Sequence, residues 1–363
     1  MTLYILVAVL MFGILIALHE FGHFAAAKLC GVKVNEFSIG MGPQIIHKKK
    51  GETDYSFRLF PIGGFCAMEG EEEGESGDPR AFPNRPWPQR LIILLAGVFM
   101  NFLTGFVIIL CLFSQAAAFY TPVVSTVREN AYAFSTLQAG DRILTVDGHA
   151  VYLQQDVSFF LSRIKGDSVD LLVERDGVRR LSLDVKLTPY EDETTGENRY
   201  MLGITLSETE KATLGVKLKN AWFQSVDYIR MVWYSLGDLI SGAVGLRDMS
   251  GPLGIIDMVG QVGAEGAQSA AAAGTSAMMG ALMNILNLVA FISINLSVMN
   301  LLPIPALDGG QILFLAVNGI YTGLTRKKLD SKYQSAVSTA GFICLMLLMA
   351  AVTVSDILKK FGV

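Results

Sequence analysis

The chain has 363 residues, 52% of them hydrophobic and only 17% charged, with a mean hydropathy of +0.44. Soluble domains are usually about a quarter charged, so this balance excludes a purely soluble protein and implies a membrane protein carrying a modest soluble part. The net charge of −4, with no Lys/Arg stripe interleaved with aromatics, argues against a nucleic-acid partner, and four Cys without CxxC spacing argue against a disulfide framework.

Residues 3–18 form an apolar run that ends in His19-Glu20-Phe21-Gly22-His23. Positions i and i+4 of a helix share a face, so His19 and His23 can point at one ion. Glu20 lies beside them, where a carboxylate reaches a metal-bound water. This is the HExxH pattern of zinc peptidases. Ionisable groups are costly inside a membrane span and usually mark function there. A chance match and a cleaved signal peptide are the competing explanations. Against the second, no basic segment precedes the run and no small-residue cleavage site follows it.

Four apolar stretches are long enough to cross a bilayer: residues 3–29, 91–118, 281–302 and 337–357. The connection after the first carries Lys33, Lys48, Lys49, Lys50, Arg58, Arg80, Arg85 and Arg90, and the last connection carries Arg326, Lys327, Lys328 and Lys332. Basic short loops face the cytoplasm. Within the first connection, residues 34–40 and 55–60 read as strands around the turn at Lys50-Gly51. The apolar Pro61-Ile62-Gly63-Gly64-Phe65 follows. Open strands reach membrane depth only where they line a cavity within protein. The acidic run at Glu71, Glu72 and Glu73 reads as a solvated loop.

Residues 120–206 read as a small α/β domain. It has strands at 123–127 and 141–146, a helix at 153–164, and a hairpin of 169–174 with 178–185 across Asp176-Gly177. Residues 214–240 are amphipathic and too polar to span, suited either to the membrane surface or to packing on the soluble domain. Gly251-Pro252-Leu253-Gly254 breaks that pattern, and the Ala/Gly/Ser-rich residues 260–280 look poorly ordered.

A catalytic zinc usually takes three protein ligands and one open position. His47 and His149 read as surface residues. The better third donor is Asp308, in the segment from Asn300 to Gly310, NLLPIPALDGG, directly after the third span. The two prolines unwind the helix and the glycines let backbone come close. The competing reading of Asp308 is a turn residue that caps the next helix.

HEFGH in the first span, PIGGF in the first loop and NLLPIPALDGG after the third resemble the site-2 protease family. These are intramembrane zinc metalloproteases of the bacterial regulator-of-sigma-E-protease type. The soluble segment resembles that family's permuted PDZ domain, present here once. The resemblance implies a multi-pass α-helical membrane protein of about four transmembrane helices, with a membrane-reentrant β-hairpin and an inserted extracytoplasmic α/β PDZ domain. The expected divisions are residues 1–118, 119–208 for the PDZ domain, 209–280 as an amphipathic linker region, and 281–363. It also implies one zinc ion held by His19, His23 and Asp308, with Glu20 as general base. Asn295, Asn300, Pro303, Pro305, Gly63, Gly64 and Phe65 are implied to hold unwound substrate. The implied setting is a bacterial inner or cell membrane, with the active site near the cytoplasmic side. The implied partners are the lipid bilayer and single-pass membrane proteins already trimmed by another protease. Anti-sigma factors and signal-peptide remnants are the implied substrates. A catalytically silent PDZ scaffold and a metal-ion transporter are the rivals. The intact Glu20 speaks against the first, and the scarcity of intramembrane carboxylates against the second.

Overall fold

The computed structural model describes residues 2–71, 77–177, 179–191, 198–245, 249–326 and 331–360. Glu72, Glu73, Lys327 and Lys328 lie outside the described residues. Helices α1 (Thr2–Leu29), α2 (Trp87–Ser114), α3 (Gln154–Leu161), α4 (Leu214–Ser241), α5 (Pro252–Ala272), α6 (Ala277–Asn300), α7 (Asp308–Thr325) and α8 (Ser331–Lys360) follow in chain order. Four segments are long and apolar enough to cross a membrane: Leu6–Leu29, Trp87–Ser114, Ala277–Asn300 and Ser335–Lys360. They coincide with the four apolar stretches of the sequence. The chain divides into two compact units, residues 1–109 with 228–363, and residues 110–227.

In the first unit, α1 ends where Gly31 adopts a left-handed φ of 71° and Val32 N–H closes back on the Ala27 carbonyl. The chain then enters two long strands, β1 (Val34–Lys50) and β2 (Thr53–Met68). Residues 36–39 of β1 pair on one side with residues 54–57 and on the other with residues 64–67. The two strands therefore fold over into a sheet of several passes, with residues 64–67 on an outer pass. PIGGF is part of β2, not a loop after it, because positive φ at Gly40, Gly42 and Gly63 lets both strands bend without breaking the pairing. The bend carries exposed Met41, Ile45, Ile46, Leu59 and Phe60. Its Pro61 carbonyl lies where a Cβ on Gly13 would sit, alongside the middle of α1.

Residues 260–280 are better ordered than their composition suggests. Pro252 starts α5 at a position where its missing N–H costs nothing. Gly266 of α5 and Gly280 of α6 each occupy space a side chain would need, so the two helices meet backbone to backbone. Val259 then joins Ala8, Met11, Leu15 and Leu288 in a buried cluster shared by α1, α5 and α6. Asp356 of α8 accepts from the Gly254 N–H at 2.9 Å, satisfying one of the free amides of the first turn of α5.

The second unit holds ten short strands among the described residues. They are β3 (Ala118–Tyr120), β4 (Thr126–Val127), β5 (Arg142–Val146), β6 (His149–Ala150), β7 (Ser168–Arg175), β8 (Arg179–Lys186), β9 (Thr188–Glu191), β10 (Asn198–Met201), β11 (Ile204–Thr205) and β12 (Thr209–Lys211). A four-stranded sheet runs in the order β6-β5-β7-β8, and β4 pairs with β11. Asp176 and Gly177 take φ of 56° and 71°, the type I′ signature expected for Asp-Gly between β7 and β8. Ile143, Val146, Leu171, Val173 and Val185 form the interior beneath α3. Asp141 is fully buried and is held by Arg175 through two bonds of 2.7 Å.

The approach of β2 to α1 yields a stability prediction. Replacing Gly13 with Leu should destabilise the purified protein by about 1–3 kcal/mol, as overpacking does. It should also expose the bend of the sheet to protease. Gly319, which has open space around it, gives the control when replaced with Ala. Thermal unfolding in detergent, with limited proteolysis, checks this; a Gly13→Leu melting curve equal to that of the control would contradict it.

Candidate metal centre

His19 and His23 lie one turn apart on α1 and both are buried. Asp308 is the first residue of α7, reached after a tight turn over residues 301–307 that follows the end of α6. Gly309 and Gly310 permit that turn: a Cβ on either would run into the carbonyls of Leu301, Leu302 or Ile304. The Asp308 side chain does not cap α7. Leu307 holds the cap position and makes no side-chain cap bond. Instead the carboxylate turns toward α1.

Three atoms define the centre. His19 Nε2 and His23 Nε2 are 3.2 Å apart, and Asp308 Oδ2 lies 3.2 Å from the first and 3.4 Å from the second. Ligands held about 2.0–2.1 Å from a tetrahedral zinc stand about 3.3 Å from one another. The triangle therefore has the size a zinc ion needs. Asp308 Oδ2 is also buried without a well-formed hydrogen bond. The donor set, two imidazoles and one carboxylate with a side left over, is that of a catalytic zinc site.

Packing from α2 completes the cradle. A Cβ on Gly97 would fall 2.6 Å from His23 Cε1 and 2.8 Å from His19 Cε1, so only glycine leaves room for both rings. The Ile93 carbonyl accepts a hydrogen bond from His23 Nδ1 at 2.8 Å, which leaves Nε2 free for metal. Asn101 lies 3.3 Å from His19 Nδ1, and its carbonyl accepts from Ser293 Oγ at 2.7 Å.

The remaining expected residues fall into two groups. Glu20 accepts a hydrogen bond from the Cys66 N–H, and Gly64 lies against its side chain. Asn300 Nδ2 is 3.5 Å from His19 Nε2. Glu20, Gly64 and Asn300 are thus beside the triad. Asn295 is five residues earlier on α6 and half-buried. Pro303 is exposed, Pro305 packs beneath Gly341 of α8, buried Gly63 sits against Met41, and the Arg58 guanidinium covers the Phe65 ring at 4.9 Å. Gly63 and Phe65 thus belong to the sheet, Pro303 and Pro305 to the turn before α7, and Asn295 to α6. His47 faces Asp54, and His149 stacks on Phe160 in the second unit.

Glu71 departs from the expected solvated loop. Its carboxylate bonds to Gln311 on α7 and to the Met68 N–H, and burial pushes its pKa up to about 7. Gly97 and Asn101 escaped the sequence reading. The available signal was a lone Asn in an apolar span, one helical turn from a Gly on the same face.

A family model described as peptidase family M50 matches residues 7–348. The chain belongs to peptidase family M50. A protein of Clostridium acetobutylicum, provisionally named a zinc metalloprotease, is 36% identical over 97% of each chain. The regulator of sigma-W protease RasP of Bacillus subtilis is 28% identical, over 97% of this chain and 98% of that one. A solved PDZ domain of an SdrC-like protein from Listeria monocytogenes covers 24% of this chain and 90% of its own, with 29% identity and a TM-score of 0.21. As an M50 member of the site-2 protease type, the protein is a zinc metalloendopeptidase, and zinc is its cofactor.

Gly97 gives this M50 site a direct test. Gly97→Ala should weaken zinc binding by about 10-fold or more, as lost support for a ligand does, because the added methyl displaces both imidazoles. Metal content and zinc titration of the purified variant measure it; wild-type affinity would show that the rings have slack.

Proposed function

We propose that this protein cuts a peptide bond inside the membrane-spanning segment of other membrane proteins, with His19, His23 and Asp308 holding the zinc and Glu20 serving as general base. The observation that carries the proposal is the 3.2–3.4 Å triangle, built on an apolar helix long enough to cross a membrane, with Glu20 beside it. A soluble peptidase has no reason to place its ligands there.

The residue roles follow from their positions. Zinc supplies a Lewis acid and makes a nearby water acidic enough to lose a proton near neutral pH. Glu20 takes that proton and later delivers it to the leaving amine nitrogen. The Cys66 N–H fixes one orientation of the carboxylate. Asn300, at the edge of the triad, is placed to donate to a substrate carbonyl.

A transmembrane helix hides its peptide bonds in its own hydrogen bonds, so substrate must unwind before cleavage. Residues 64–67 form the outer pass of the sheet and run past Glu20, which supports substrate joining there as an added strand. The exposed apolar residues of the bend, and its contact with the middle of α1, support a sheet that re-enters the membrane. The basic connections after the first span and before α8 favour a cytoplasmic location for both, which puts the metal centre near the cytoplasmic face. The second unit then lies outside as a single PDZ domain. We read it as a filter that keeps out substrates with bulky outer domains. A bacterial cell membrane and trimmed single-pass substrates complete this reading.

Two experiments test it. Glu20→Gln should keep zinc and lose cleavage of a model transmembrane peptide by about 10²–10⁴-fold, the usual worth of a general base. Cleavage near the wild-type rate would reject the base. Deleting residues 123–206 should leave short substrates cleavable and admit substrates with untrimmed outer domains. A pair of substrates differing only in that domain decides the point, since equal slowing of both would indicate recruitment in place of filtering.

A further inference from the structure

His23 and His19 are held differently at the nitrogen that faces away from the triangle. The partner of His23 Nδ1 is the Ile93 carbonyl, at 2.8 Å. A carbonyl can only accept, so Nδ1 carries the proton and Nε2 presents a lone pair to the metal. The partner of His19 Nδ1 is the Asn101 side chain at 3.3 Å, and an amide can present either a donor or an acceptor.

The orientation of that amide matters for the metal. With Nδ2 toward the ring, Asn101 donates into the Nδ1 lone pair. The His19 proton then sits on Nε2, on the side of Asp308 and His23, and the ring cannot be a ligand. With Oδ1 toward the ring, Asn101 accepts the Nδ1–H and Nε2 is free to coordinate. The two arrangements differ by a half-turn about the Cβ–Cγ bond. Asn101 is 1% exposed, and its Oδ1 is buried without a hydrogen-bond partner, so no bond at that end resists the half-turn. The backbone, by contrast, is fixed: the Asn101 carbonyl takes the Ser293 hydroxyl at 2.7 Å, and Gly97 one turn earlier seats both imidazoles.

We infer that Asn101 is a positioning residue of the metal centre, which sets the tautomer of His19 by turning its amide oxygen to the Nδ1–H when zinc is held. It does so from α2, where its side chain is 1% exposed. The inference rests on the reading of His19, His23 and Asp308 as zinc ligands.

The test uses the full chain in detergent, loaded with zinc and labelled with ¹⁵N-histidine. Only four histidines are present, so His47→Gln and His149→Gln identify those two rings. Of the remaining two, His23, bonded to the Ile93 carbonyl, is the one that stays unchanged in the Asn101 variants. In wild type, His19 should show a protonated Nδ1 and a metal-shifted Nε2. Asn101→Asp can accept but not donate, so it should keep that signature and bind zinc at least as tightly. Asn101→Leu can do neither. It should raise the zinc dissociation constant about 10–100-fold, as loss of a ligand's supporting partner does, and abolish the single-tautomer signal. Wild-type affinity in Asn101→Leu, or a tenfold loss in Asn101→Asp with the proton moved to Nε2, would overturn the assignment. Should Asn101→Leu not fold, Asn101→Asp decides by itself, because a merely structural amide donor would fail in it. Zinc uptake by wild type that Asp308→Ala loses keeps the metal centre separate from this question; wild type that takes up no zinc overturns both.

Discussion

Two imidazole nitrogens and a carboxylate oxygen meet within 3.4 Å of one another inside apolar helices, and the membrane unit is arranged to let them do so. Burying such groups costs several kcal/mol unless something compensates. In the proposed reading, a divalent cation at their centre is that compensation. It explains why Asp308 points across to α1 instead of capping its own helix. It also ties the first helix of the chain to the seventh, some 290 positions later.

The close approaches that make the triangle possible are glycine contacts. Gly97 admits both rings against α2, Gly309 and Gly310 admit the carbonyls of the preceding turn against α7, and Gly22 brings α1 onto the Ala96 carbonyl. In lipid, helices gain little from hydrophobic burial against one another, so contacts at backbone distance supply much of the packing. The same device joins α5 to α6 at Gly266 and Gly280. The second unit follows the rules of a soluble domain instead, with an aliphatic interior and a buried Asp141 paired in two bonds to Arg175.

The sheet of β1 and β2 brings the chemistry and the substrate path together. Its outer pass puts Gly64 and the Cys66 N–H on Glu20, so the proposed base is oriented by the strand along which substrate is proposed to lie. Glu36, Arg58, Ser56 and Gln44 satisfy one another within the sheet at 2.6–3.1 Å. That internal pairing lets polar strands run beside a helix of membrane-spanning length.

The sequence by itself determined the four apolar helices, because twenty or so consecutive apolar residues have few other fates. It also determined the pairing of His19 with His23, which the helical repeat imposes, and the β7–β8 hairpin, which Asp176-Gly177 dictates. Asp308 could be named from its glycines and prolines, but whether it capped a helix or turned toward the two histidines was open until the turn at residues 301–307 was seen. Only the tertiary structure decided the rest. PIGGF lies within a strand because the bends at Gly40, Gly42 and Gly63 depend on pairing with distant residues. Residues 260–280 form the end of α5 and the start of α6 because a Gly/Ala face has meaning only when another helix lies against it. Gly97 and Asn101 belong to the centre because α2 crosses α1 at that height. Such residues act through where they are held, and that depends on contacts between segments far apart in the chain, which local spacing does not encode.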